Sequence, residues 1–134
     1  MSLLETLPRK SASTKKTLRI LYAEDVRELR EVAQLAFALD GHKTDCAADG
    51  SLAWKKISAD PQAFDVVITD HNMPNMDGLE LVKRLRALPF LGKIMIFSSE
   101  ISNEVREAYE RLKVDKILRK PIFADELRQV LAAL

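Results

Sequence analysis

Carboxylate, hydroxyl and ammonium side chains stand directly after four separate apolar segments of this sequence. They are Glu24, Asp25, Asp70, Ser98, Ser99 and Lys120. Neighbouring carboxylates repel one another unless a cation lies among them, and carboxylate oxygens are typical ligands of Mg²⁺. A carboxylate can also attack phosphorus, while a metal, a lysine and a hydroxyl each contact one phosphoryl oxygen. If these groups meet in space, they predict transfer of a phosphoryl group to an acid.

Alternating patterns predict the elements that would bring these groups together. Short apolar runs predict five strands, at residues 18–23, 43–48, 65–69, 93–98 and 114–118. Apolar residues at helical spacing predict five helices, at residues 26–40, 50–60, 79–88, 103–112 and 124–134. In the first helix, Val26, Leu29, Ala33 and Phe37 stand at this helical spacing. The alternation favours an α/β fold with a flavodoxin-like, doubly wound, five-stranded parallel sheet of order 2-1-3-4-5 and five helices.

This fold predicts a common location for the polar residues. Ligands of open parallel sheets bind beyond the carboxyl ends of the strands, and all six side chains follow strands. Asp70 ends the central strand, between the acid pair and the serine and lysine side, so we predict that it is the nucleophile. Each residue alone has an ordinary explanation as a helix cap, a turn former or a strand end. Independent accidents would not place every required group at one rim.

Composition narrows the class of protein further. The chain has 134 residues, 47% hydrophobic and 31% charged, and a formal net charge of +1. We therefore expect one globular domain with no strong field to attract nucleic acid or a membrane. A single cysteine, no apolar run of about 18 residues and no signal-peptide core predict a cytoplasmic protein. The polar, basic residues 1–16 predict a flexible tail ahead of a domain at 17–134.

Residues 17–134 resemble the receiver domain of two-component response regulators, most closely the stand-alone chemotaxis type. The resemblance is carried by "AED" ending at Asp25, "DHNMPNMDG" from Asp70, Ser98, and "KP" from Lys120. It implies that Asp70 is the phosphoacceptor of a histidine kinase or a histidine phosphotransfer protein. It implies that Mg²⁺ is the cofactor, held by Glu24, Asp25, Asp70 and the backbone carbonyl of Asn72. Ser98 and Lys120 would contact the phosphoryl group.

The resemblance also predicts how the switch operates and resets. Asn72 and Glu100 flank the expected phosphoryl position, and an amide and a carboxylate there would orient the water that removes the group. The family usually has Tyr or Phe three residues before the lysine, where this sequence has Ile117. We expect Ser98 and Ile117 to be the switch positions. Ile117 should keep one rotamer, and the coupling should run through the loop from Ser98 to Ser102 and the fourth helix.

Two other functions fit part of the pattern. A haloacid-dehalogenase-like phosphatase also uses Asp, Ser, Lys and Mg²⁺, but it has a second Asp where this sequence has Asn72. A degenerate receiver that only binds partners is the other alternative, and the complete acid, serine and lysine set argues against it. We expect a phosphoacceptor with slow self-dephosphorylation rather than an enzyme. Without a helix-turn-helix or a basic patch, no direct nucleic-acid contact is expected, and the signal should leave through the face of helix 4, strand 5 and helix 5.

Overall fold

A computed structural model describes residues 17–134, and the predicted tail at residues 1–16 lies outside the described residues. The strands are β1 (Arg19–Ala23), β2 (Lys43–Ala47), β3 (Val66–Asp70), β4 (Lys93–Ser98) and β5 (Lys116–Arg119). The helices are α1 (Arg27–Leu39), α2 (Gly50–Ala59), α3 (Gly78–Arg86), α4 (Asn103–Arg111) and α5 (Ala124–Ala132). Every predicted strand and helix is present, although β5 begins two residues later than predicted. From residue 17 onward, no helix is long and apolar enough to cross a bilayer.

The strands form one parallel sheet in the order β2-β1-β3-β4-β5, which confirms the predicted order. All five residues of the central strand β3 are buried. It pairs with β1 on one side, where Ala23 lies opposite Thr69, and with β4 on the other, where Asp70 lies opposite Phe97. Because the strands are parallel, their carboxyl ends meet at one rim of the sheet. Burial of both faces explains the continuous apolar runs.

Helices cover both faces of the sheet, and alternate strand residues point to opposite sides. On one face, α1 and α5 contribute Phe37 and Leu127 to a core that also contains Tyr22, Ile68 and Phe97. On the other face, α2, α3 and α4 contribute Ile57, Leu81 and Tyr109 to a core with Leu21, Val67 and Ile96. The rim between these two cores is where the strand-end side chains collect.

The buried face of α1 includes only part of the set that stands at helical spacing in the sequence. The structure buries Ala33, Ala36 and Phe37. Val26 precedes the helix and is 42% exposed, and Leu29 is 41% exposed. Two small residues allow the α1 backbone to approach the sheet closely, so their stripe is buried in preference to the stripe of larger side chains. As a consequence, α1 presents apolar residues to solvent, namely Val26, Leu29, Val32, Leu35 and Leu39.

Candidate functional site

Three acidic side chains meet at the carboxyl ends of β1 and β3. Carboxylate oxygens of Glu24, Asp25 and Asp70 all lie within 4.8 Å of one another. Glu24 is completely buried and Asp70 is 7% exposed, whereas Asp25 is exposed to solvent. The Glu24 N–H donates to the carbonyl oxygen of Ala47, so the acid pair continues directly from the β1–β2 ladder. The structure therefore brings together the three acids that were predicted as metal ligands.

Lys120 lies between the two buried carboxylates. Its Nζ is 2.6 Å from Glu24 Oε1 and 3.2 Å from Asp70 Oδ2. The backbone N–H of Lys120 donates to the carbonyl oxygen of Ser98 at 2.8 Å, which attaches the segment after β5 to the end of β4. Lysine and the three acids thus form one cluster from three parts of the chain.

One lysine faces two buried carboxylates, so the cluster keeps an excess of negative charge. Burial raises the pKa of Asp70, against the attraction of Lys120 and the hydrogen bond from the His71 N–H. Burial also raises the pKa of Glu24, against its hydrogen bond with Lys120. Burial by itself lowers the pKa of Lys120, but the hydrogen bonds and charges of both acids outweigh it and raise that pKa. Lys120 therefore stays protonated, and its single charge is shared by two acids.

This donor set fits a hard divalent cation. It offers oxygen ligands only, and an added cation would neutralise the excess charge that Lys120 leaves. Because Asp25 is exposed, the cluster is open to solvent on one side, where waters can complete the octahedral coordination that Mg²⁺ requires. Asn72, the fourth predicted ligand, lies in the turn after β3, two residues beyond Asp70.

Ser98 has a buried polar atom without a hydrogen-bond partner in the described domain. Its hydroxyl oxygen is buried and has no hydrogen-bond partner among residues 17–134. Ser98 ends β4, one residue beyond the Phe97 that pairs with Asp70, and is 4% exposed. A buried hydroxyl without a partner costs about 1–3 kcal/mol, so this group is available to a ligand at the rim. The neighbouring Ser99 is exposed instead.

The remaining predicted residues lie around the acid cluster. Asn72 and Glu100 are exposed to solvent. Ile117 is half-buried and packs against the core on the α2, α3 and α4 face, beside Ile96 of β4. The roles of these three residues in resetting and switching stay predictions.

The turn after β3 is held from two sides. The Asn75 side-chain amide donates to Asp49 Oδ2 at 2.8 Å, and Asn75 itself has a left-handed φ of 69°. Gly50, the first residue of α2, lies against the same turn, since a Cβ there would come within 2.2 Å of the Met76 carbonyl oxygen. The Gly78 N–H donates to the His71 carbonyl oxygen at 2.8 Å and closes the turn. These contacts position the backbone that follows Asp70.

Sequence reasoning missed several residues that contact the acids. The Tyr22 hydroxyl donates to Glu24 Oε1 at 3.4 Å, and Arg30 Nη1 donates to the Glu24 carbonyl oxygen at 2.7 Å. The His71 N–H donates to Asp70 Oδ1 at 2.9 Å. The period of two in a strand could have placed Tyr22 on the side of Glu24. The other two contacts depend on backbone atoms and leave no signal in residue types.

The order of the sheet, together with acids after β1 and β3, a serine after β4 and a lysine after β5, defines the class of two-component receiver domains. Residues 20–132 match the family model of the response regulator receiver domain, and the chain belongs to that family. Receiver domains are typically phosphoacceptors rather than enzymes, and they interact with histidine kinases and phosphotransfer proteins.

Several relatives of this chain are much longer proteins. The chain is 36% identical over 121 residues to the transcriptional regulatory protein TctD of Salmonella typhimurium (strain LT2), which covers 87% of this chain and 51% of that protein. It is 37% identical over 133 residues to the sensor protein EvgS of Escherichia coli (strain K12), covering 96% of this chain and 10% of that protein. The chain thus spans about half, or less, of the length of these relatives.

Solved structures agree with the fold. The chemotaxis response regulator CheY4 of Vibrio cholerae superposes with a TM-score of 0.79 at 28% identity, covering 88% of this chain and 98% of that chain. A response regulator receiver protein from Pseudomonas putida superposes with a TM-score of 0.80 at 22% identity, covering 89% and 98%. The second similarity supports the fold alone.

Proposed function

We propose that the domain at residues 17–134 accepts a phosphoryl group on a carboxylate oxygen of Asp70 and signals its state by protein contact. The donor is the phosphohistidine of a histidine kinase or a histidine phosphotransfer protein. The observation that carries this proposal is the rim cluster, in which Asp70 and Glu24 share one lysine while Asp25 lies within 4.8 Å. The carboxylates of such a cluster can bind a cation, and its lysine can contact a negatively charged group.

The transfer needs positioning and charge neutralisation more than proton chemistry. An Asp70 oxygen attacks phosphorus, the new P–O bond forms as the P–N bond to the histidine breaks, and the imidazole nitrogen keeps the electron pair. Lys120, now bound to Asp70 Oδ2, neutralises charge on a phosphoryl oxygen, and the Ser98 hydroxyl donates to another. Mg²⁺, when bound by Glu24, Asp25, Asp70 and the Asn72 carbonyl, supplies further positive charge at the phosphoryl oxygens.

The donor's docking surface follows from the apolar face of α1. Two exposed α1 side chains, Leu29 and Val32, line a groove with Pro121 and Ile122, and Lys120 also lines this groove. A donor must bring its phosphohistidine to Asp70, so it must cover this rim. We assign the groove to an apolar helix face of the donor, beside the phosphorylated histidine.

We assign removal of the phosphoryl group and contact with the downstream protein to residues outside the acid cluster. We assign to Asn72 and Glu100 the orientation of the water that slowly removes the phosphoryl group, which makes the protein a self-resetting phosphoacceptor. The downstream protein is assigned to the face of α4, β5 and α5, as the resemblance implies. A degenerate receiver would dock the same partners without the covalent step.

Intact-mass measurement after incubation with Mg²⁺ and acetyl phosphate tests the proposal. The parent should gain about 80 Da, the mass of one phosphoryl group. When chelator replaces Mg²⁺ during the incubation, the parent should not be labelled. Asp70→Asn should not be labelled. Asp77→Asn is the matched control, because Asp77 lies exposed in the same turn and caps α3, a role that Asn also fills. Labelling of Asp70→Asn would contradict the site, no adduct in the parent would favour the degenerate receiver, and multiple turnover would favour a phosphatase.

A further inference from the structure

Helix α4 places one fully buried side chain in the core of the domain. Among residues 103–111, only Tyr109 is buried, and the others are half-buried or exposed. Tyr109 is also among the largest fully buried side chains of residues 17–134. Tyr109 is therefore the main contact of α4 with the core, beside the half-buried Val105.

The polar end of Tyr109 reaches the turn that follows Asp70. Its hydroxyl oxygen shares a hydrogen bond of 2.6 Å with His71 Nδ1, and the two rings meet edge to face at 5.6 Å. The hydroxyl also lies against Gly78, where a Cβ would come within 2.8 Å of it. Burial, with smaller contributions from Asp77 and Asp70, raises the pKa of Tyr109, so the hydroxyl keeps its proton. It is the one polar group that α4 inserts into the core.

His71 connects this hydroxyl to the phosphoacceptor. The His71 N–H donates to Asp70 Oδ1 at 2.9 Å and also to the Phe97 carbonyl oxygen at 3.0 Å. Its backbone thus touches the reacting carboxylate, while its side chain touches α4. If the Asp70 carboxylate turns to carry a phosphoryl group, the oxygen that accepts the His71 N–H moves with it.

We propose that the Tyr109–His71 contact is the link that transmits occupancy of the Asp70 site to α4, and that Tyr109 is a positioning residue for the turn after β3. The link rests on the proposed function, since the occupant is a phosphoryl group on Asp70. Ile117, at the family's usual aromatic position, has no polar tip with which to make such a contact. Here the ring and hydroxyl come from α4 itself.

Hydrogen–deuterium exchange of the α4 amides, with and without beryllofluoride and Mg²⁺, tests the link. Fluorine NMR of the bound beryllofluoride measures site occupancy independently. In the parent, ligation should change α4 exchange by about fivefold, the scale of one hydrogen bond. In Tyr109→Phe, which keeps the ring and removes the hydroxyl, the change should be less than about twofold at equal occupancy. Val105→Ala is the matched control, because it loosens the half-buried side of α4 and leaves the hydroxyl in place.

A second variant separates transmission from simple loss of packing. His71→Ala keeps the backbone N–H to Asp70, so beryllofluoride should still bind while the α4 response is lost. The double variant with Tyr109→Phe should lose no more than either single variant. A parent-like α4 response in Tyr109→Phe, or additive losses in the double variant, would overturn the link. Absence of bound beryllofluoride in the parent would overturn the proposed function and the link with it. Fluorine NMR distinguishes that outcome from a failure of the link alone.

Discussion

Replacement of Lys120 by Met removes the positive charge that lies between two buried carboxylates. Met keeps an apolar stem of similar length, so packing around the stem is retained. In the parent, Nζ is 2.6 Å from Glu24 Oε1 and 3.2 Å from Asp70 Oδ2. In the variant, two carboxylates within 4.8 Å of each other have no cation when chelator is present.

The expected loss of stability follows from that distance. Two unit charges at 4.8 Å repel by about 3.5 kcal/mol at an effective dielectric constant of about 20. The loss has an upper limit, because one carboxyl group can take up a proton instead. From the ordinary pKa of 3.8 for Asp70, protonation at neutral pH costs about 4 kcal/mol. We therefore expect the free energy of unfolding to fall by about 2–4 kcal/mol, and Tm by about 8–16 °C.

Denaturant unfolding in chelator, followed by the fluorescence of Trp54, measures this loss. Trp54 is the one tryptophan and lies in α2 beside Arg84. Saturating Mg²⁺ should restore most of the lost stability, since it replaces the missing charge. Asp70→Asn in the Lys120→Met background should also restore it. Lys83→Met, at an exposed lysine, is the control and should unfold like the parent.

One result would refute the reasoning directly. If Lys120→Met unfolds in chelator at the same denaturant concentration as the parent, the two acids do not carry charge side by side in the folded protein. Failure of Asp70→Asn to restore stability would show that the loss comes from packing rather than from charge.

Three further substitutions test other parts of the structure. Ser98→Ala removes a buried hydroxyl without a partner in the described chain, so unfolding free energy should hold or rise by up to about 1 kcal/mol, while acetyl phosphate labelling slows. His42 Nδ1 accepts the Leu18 N–H, and burial lowers the pKa of His42. Below the ordinary histidine pKa of 6.5, His42 binds a proton in the unfolded chain but not in the folded chain. The stability of the parent should therefore fall as the pH falls below 6.5. Thermal melts of His42→Gln should lack this loss. Gly50→Ala places a Cβ 2.2 Å from the Met76 carbonyl oxygen and should lower unfolding free energy by about 2 kcal/mol or more.

Two of these substitutions have a control variant in the chain, and the third has a stated contrary result. Thr44 holds the other buried hydroxyl without a partner in residues 17–134, but it lies on β2, so Thr44→Ala should not slow labelling. Equal labelling rates in both alanine variants would contradict the role of Ser98. A parent-like loss of stability in acid by His42→Gln would assign that loss to other groups. Ser51→Ala, next to Gly50, should leave stability nearly unchanged, and an equal loss there would show that the Gly50 contact is not the cause.

The fold could be predicted from sequence because its signals are local. Continuous apolar runs mark strands buried on both faces, and the polar residues that end them need only chain direction to meet at one rim. The grouping of Glu24, Asp25, Asp70 and Lys120 was foreseen in this way. Helical spacing also found α1, but it could not choose between two apolar stripes. That choice depended on which stripe, here the one with Ala33 and Ala36, lets the helix approach the sheet.

Other features were decided only by the tertiary structure. Glu24 and Lys120 are 96 positions apart, and their 2.6 Å contact makes one lysine serve two buried acids. Tyr109 and His71 are 38 positions apart and meet in a partly buried contact. Residue types do not predict such pairs, because a tyrosine on an amphipathic helix is equally compatible with burial among apolar side chains alone. Packing decided them, because a buried hydroxyl or charge must find its partner among whatever groups the fold brings within reach.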